Sequence, residues 1–189
     1  MPRAAAVFFA ASLLARHAAA QAVVPGPLVA GETTFLFHST IVGRLQGRAP
    51  IASAEFSGGT LADVRGAAEV RVDRMETGNG ARDRHLRETL QADSYPVIRF
   101  EVDSVVPEGS AGDTTAVILS GRLVLHGVAR AVRAEGTVAT GSIGTEVTAS
   151  FVIDMRDYGI RPPVRALLLR VAPDVAVTAR LTFAPGRTP

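Results

Sequence analysis

Residues 77–100 read TGNGARDRHLRETLQADSYPVIRF, and only in this stretch does the two-residue alternation that fills the rest of the chain give way to a helical pattern. Asn79-Gly80 punctuates the end of an alternating run, and Asn79 has the short polar side chain that caps the free amides of a helix start. Over Ala81 to Gln91 the period changes. Leu86 and Leu90 stand four apart on one face, and Asp83 precedes Arg87 by four, which predicts a surface ion pair on one short helix near residues 80–91. Tyr95-Pro96 then requires extended backbone, because the proline ring disfavours helix in the residue before it. Ile98, Phe100 and Val102 alternate with Arg99, Glu101 and Asp103, the signature of a half-buried strand.

On both sides of this stretch the chain is a series of short alternating runs separated by glycine, proline or asparagine turns, the pattern of a sandwich or an up-and-down barrel. Phe35 and Phe37 share a face, as do Ala68, Val70 and Val72. Val117, Leu119, Leu123 and Leu125 share another, with Gly121 between them where a bend or bulge is expected. Gly127 predicts a tight turn into Val128, Val132, Ala134 and Val138. Val147 to Ile153 and Val175 to Phe183 continue the alternation, giving about eight strands. A single short helix cannot cover so many apolar faces, so they must bury against one another, and closure into a barrel does this while removing exposed edges. Valine, alanine and threonine dominate these faces, with eight phenylalanines and no tryptophan. Small linings leave room for a ligand, but a packed core gives the same alternation.

Residues 1–20 have the form of a secretory signal, with Arg3, an apolar core over residues 4–15 and the small residues Ala18 to Ala20 before Gln21. Residues 21–32 are expected to be a leader and 33–185 a single domain, exported and most simply periplasmic. Loss of the signal removes Arg3 and Arg16 and leaves 18 arginines against 18 acids, so the basic isoelectric point does not argue for nucleic acid. The chain has no cysteine and therefore no disulfide framework or thiolate chemistry.

The patterns of catalysis are missing. There is no G-x-S-x-G elbow and no H-E-x-x-H pair, and Gly78-Asn79-Gly80 lacks the lysine of a phosphate cradle, so no enzyme and no cofactor is implied. Asp154 and Asp157 flank a turn and are read as structural. His38, His85 and His126 lie on separate segments without metal spacing, and local hydrogen bonding accounts for them more simply than a metal or haem site. Residues 161–170, RPPVRALLLR, are either an ordinary buried strand or a flap across one barrel mouth, in which Arg161, Arg165 and Arg170 meet a polar headgroup.

Three stretches carry a resemblance. Thr77-Gly78-Asn79 with Arg82-Asp83, His85-Leu86-Arg87 and Tyr95 to Phe100, then Leu123 to Arg130, then Phe151 to Ile160, resemble in order the motifs of the YceI-like family of bacterial lipid-binding proteins. The similarity runs from about Thr33 to Phe183. It implies an all-β, lipocalin-like antiparallel barrel of about eight strands with one inserted helix. Its lumen would hold a polyisoprenoid, an isoprenoid quinone or a fatty-acid derivative, by burial alone. The implied partner is an apolar small molecule, with transient membrane contact and no nucleic acid; a non-enzymatic structural or stress-response module with a filled core is the alternative. Alternation assigns the lining to Phe35, Phe37, Val70, Val72, Leu86, Ile98, Phe100, Leu119, Leu123, Phe151, Val175 and Val177. The tryptophan and aspartate with which many members open are absent from Leu28 to Thr34, so one barrel end is expected to differ.

Overall fold

A computed structural model describes residues 26–161, 164–165 and 169–186. The expected signal peptide and residues 21–25 of the expected leader lie outside these residues. Strand β1 (Leu28–Ser39) begins inside that leader, because Leu28 and Ala30 already pair with the last strand. It is followed by β2 (Gly43–Ser57), β3 (Arg65–Arg71), helix α1 (Gly80–Thr89), β4 (Val97–Ala111), β5 (Thr114–Leu125), β6 (Val128–Gly141), β7 (Gly144–Asp154), the two-residue β8 (Val164–Arg165) and β9 (Leu169–Phe183).

Each long strand pairs antiparallel with the next, and β1 pairs with β9, so eight strands close into a barrel. Odd-numbered residues of β1 and β9 face inward together: Phe35 stands opposite Val177 and Phe37 opposite Val175. Outside, Arg99 bridges Glu69 and Glu101, and Arg122 reaches Glu101 at 2.8 Å. The hydrogen bond from Arg99, aided by Arg122, holds the Glu101 carboxyl below the usual carboxylate range. These arginines are the solvated outer face that the alternation implies.

The bulge expected at Gly121 occurs in the strand beside it. Val102 pairs with Gly121 but Ser104 with Ser120, so β4 carries the extra residue and its inward phase moves from Val102 to Val105. Gly121 is needed for close approach, since a Cβ there would lie 2.2 Å from the Glu101 carbonyl oxygen and 2.9 Å from the Phe100 ring. The turn from β5 to β6 uses His126 and Gly127, both at positive φ (51° and 74°), the twist that suits a two-residue hairpin.

Helix α1 begins as expected, with Asn79 Oδ1 accepting from the Arg82 amide at 3.0 Å. The expected Asp83–Arg87 pair does not form. Asp83 turns back to accept from the amide and hydroxyl of Thr77, at 2.7 and 2.5 Å. Backbone donation satisfies more of a carboxylate's acceptor capacity than a solvated pair along the helix surface.

Candidate functional site: an apolar lumen in two compartments

The inward faces do not meet across the barrel. A cavity of about 360 Å³ lies at the α1 end and another of about 150 Å³ at the opposite end. Thr33, Val70, Ile98, Leu123, Phe151 and Val177 border both and form the waist between them. The larger volume alone falls within the roughly 300–1,000 Å³ of small-molecule sites. Several inward residues, Phe37, Val70, Ile98 and Phe151 among them, are only partly buried although they face the interior, since their surface borders unfilled space.

All six described phenylalanines line this lumen, in three pairs at three levels. Phe35 and Phe37 stack with centroids 6.3 Å apart at the α1 end. Phe100 and Phe151 stack at 5.9 Å about the waist, and Phe56 meets Phe183 edge-on at 5.8 Å in the far compartment. Leu86 and the buried Leu90 bring α1 against the larger cavity. Leu61 and Val64, from the connection between β2 and β3, border the smaller one.

Eleven of the twelve residues assigned by alternation border this lumen. Phe35, Phe37, Leu86 and Val175 face the larger cavity, and Phe100 and Leu119 the smaller. Val70, Ile98, Leu123, Phe151 and Val177 belong to the waist. Val72 borders neither. β3 ends at Arg71, and Val72 opens a 3-10 turn whose amide donates to Pro96 O at 2.9 Å, placing its side chain in the core with Ala49, Met75 and Leu90. Alternation missed Phe56, because β2 slips register between Ile51 and Ser53, and Met75, because it follows that turn. Leu45, Ala49 and Ile51 do alternate and were open to the same reasoning.

The three motifs meet at one end of the barrel. The Tyr95 ring packs on His126 with centroids 4.5 Å apart, and Gly127 leaves room for it, since a Cβ there would lie 2.6 Å from Tyr95. His126 Nδ1 lies 3.1 Å from the Tyr158 carbonyl oxygen, to which it donates, and Arg130 Nε donates to Asp157 O at 3.0 Å. Burial pushes the Tyr158 phenol up. Asp154 accepts from the Arg156 amide and guanidinium in the turn between, which is the structural role expected of it. The motif residues therefore tie three inter-strand connections together.

His38 is exposed on the outside of β1, His85 sits on α1 and His126 in the β5–β6 turn, and among the described residues no three His, Cys, Asp or Glu side chains form a metal-binding group. For the 161–170 segment, the backbone of β8 pairs with the start of β9, Val164 with Arg170 and Arg165 with Leu169. Residues 162–163 and 166–168, and with them the question of a flap, lie outside the described residues.

A closed eight-stranded antiparallel barrel with an apolar interior places the chain in the lipocalin-like class. The model of the YceI-like domain family matches residues 27–183, and the chain belongs to that family. Its fold is similar to that of BcnA from Burkholderia cenocepacia (16% identity, 80% of this chain and 95% of that one, TM-score 0.66). It is also similar to a polyisoprenoid-binding domain from Saccharophagus degradans (18%, 84% and 97%, 0.64) and to the Campylobacter jejuni YceI protein (18%, 77% and 88%, 0.60). No curated protein matches the sequence.

Proposed function

We propose that the protein is an exported carrier or store for a long apolar chain, a polyisoprenoid, an isoprenoid quinone or a fatty-acid derivative, held in the barrel lumen. The observation that carries this reading is the pair of adjoining apolar cavities, about 360 and 150 Å³, inside a barrel that family membership relates to lipid-binding proteins. The polyisoprenoid-binding domain of Saccharophagus degradans has the same fold and lends support. Binding would come from burial. Each methylene taken out of water contributes about 0.8 kcal/mol, so a chain of ten or more carbons needs few polar contacts. No turnover enters the reading. The filled-core alternative fits less well, because the inward faces leave space between them.

Organic extraction of the purified protein followed by mass spectrometry tests the reading. A co-purified isoprenoid or fatty acyl species is the expected result. An empty extract, with no uptake of added chains, would overturn it. Export rests on the sequence of residues 1–20 and is tested by the N-terminus of the protein recovered from the periplasmic fraction, expected at Gln21. A contribution from residues 161–170 is tested by Arg165→Ala and Leu168→Ala; unchanged ligand affinity in both would remove that segment from the site.

A further inference from the structure

Among the described residues, the ionisable side chains bordering the larger cavity, Arg82, His85 and Glu88, all belong to α1. Around the smaller cavity the polar side chains among the described residues are Thr33 and Thr145, and none of them is ionisable. The lumen thus has a polar end, and it is the end at the helix.

Within that end the three groups are not equivalent. His85 Nδ1 and Glu88 Oε2 lie 3.1 Å apart and satisfy one another. Arg82 is held differently. Its Nε donates to Thr77 Oγ1 and its terminal nitrogen to Thr77 O, both at 2.8 Å, while Thr77 directs its own hydroxyl and amide protons to Asp83. The guanidinium is therefore oriented by neutral oxygens. Among the described residues no carboxylate lies within ion-pair distance of it. An arginine carries five N–H donors, and the two used on Thr77 leave three.

We propose that Arg82 receives an anionic head, a carboxylate or a phosphate, on the long chain that the lumen holds, so that ligands lie with the head at α1 and the tail toward Phe183. The assignment rests on the carrier reading above. An apolar chain with no acceptor would displace water from the part-buried guanidinium and leave the donors it covers without partners. A site built to bond a polar group discriminates against the analogue lacking it far more strongly than an apolar pocket discriminates by size.

Titration calorimetry of the delipidated protein with hexadecanoate, hexadecyl phosphate and hexadecanol holds the chain constant and varies the head. The native protein should bind at least one anion about tenfold or more tighter than the alcohol, and the tighter anion identifies the head. Arg82→Gln should abolish that preference while leaving alcohol affinity within about twofold, and the exposed Arg84→Gln should preserve it. Because Arg82 also braces Thr77, Arg82→Lys carries the test if Arg82→Gln does not fold. Lysine keeps the charge without the planar fork, and the preference should fall by roughly threefold or more. Equal binding of alcohol and anions, or a preference unchanged by these Arg82 substitutions, would overturn the headgroup assignment alone. Failure of all three chains to bind the native protein would overturn the carrier reading and the assignment with it.

Discussion

Asn79 and Asp154 do the same work at two points in the chain, each turning a side-chain oxygen onto the amide that starts a helical turn, at 3.0 and 2.8 Å. Asn79→Ala should cost about 1 kcal/mol, read as a lower urea midpoint at unchanged slope. Asp154 adds a charge. Hydrogen bonds from the Arg156 side chain and amide hold its carboxyl below the usual range. Its contribution is thus present above the unfolded-state value, near 4, and is lost as pH falls through the lower folded-state value. Asp154→Asn should be less stable than the native chain at pH 7, and the gap should narrow as the pH is lowered below about 4, checked by denaturant titration across that range. Both caps were legible in the sequence because a cap and its amide are two or three residues apart. The partner of Asp83 was not, because the choice between Arg87 on the helix and Thr77 in the loop depends on how the loop folds back.

At the scale of elements, α1 matched its sequence pattern at its start and on its inner face. Its end has a feature that period alone could not reveal. Gln91 follows the last turn at φ 49°, the left-handed conformation that glycine adopts without penalty, while the Ala92 amide donates to Arg87 O at 2.9 Å. Gln91→Gly should therefore stabilise the protein by about 0.5–1 kcal/mol, detectable as a raised melting temperature, where a loss would show that the side chain makes a compensating contact. Leu90, 6% exposed, anchors the same helix, and Leu90→Ala should cost roughly 2–3 kcal/mol by the same measurement. Leu86→Asp, at the cavity wall, should change ligand retention or folding. Alternation located strand faces well until a register shift intervened. Phe100 and Val102 were readable, but the extra residue in β4 moved the inward phase to Val105, and only Gly121 in the neighbouring strand hinted at it. Val72 failed for a related reason, since apolar alternation persists one residue beyond the point where the backbone leaves the ladder.

For the molecule as a whole, about eight alternating strands and one short helix required the apolar faces to bury against one another, which a sandwich or a barrel could do, and the resemblance pointed to the barrel that the pairing of β1 with β9 closes. The empty lumen was not legible, since period two says which way a side chain points and nothing about whether the opposite wall reaches it. The three phenylalanine tiers mark off the length of the lumen. Phe151 stands at the waist and stacks on Phe100, so Phe151→Ala should merge the compartments and improve binding of longer chains relative to shorter ones, measured over a chain-length series. It should also lower stability by up to about 3 kcal/mol, the low end for a phenylalanine truncation because one side of the ring already borders space. The pairing of β1 with β9, Leu28 opposite Phe183, has a consequence for synthesis. A nascent chain that has released β1 to β7 has two open edges, on β1 and on β7, and both disappear only when β9 arrives. The barrel is therefore all or nothing along the direction of translation. A chain ending at Arg161 should self-associate through those edges, which size-exclusion chromatography with light scattering would detect, while the chain carried through Phe183 has neither edge to offer a neighbour.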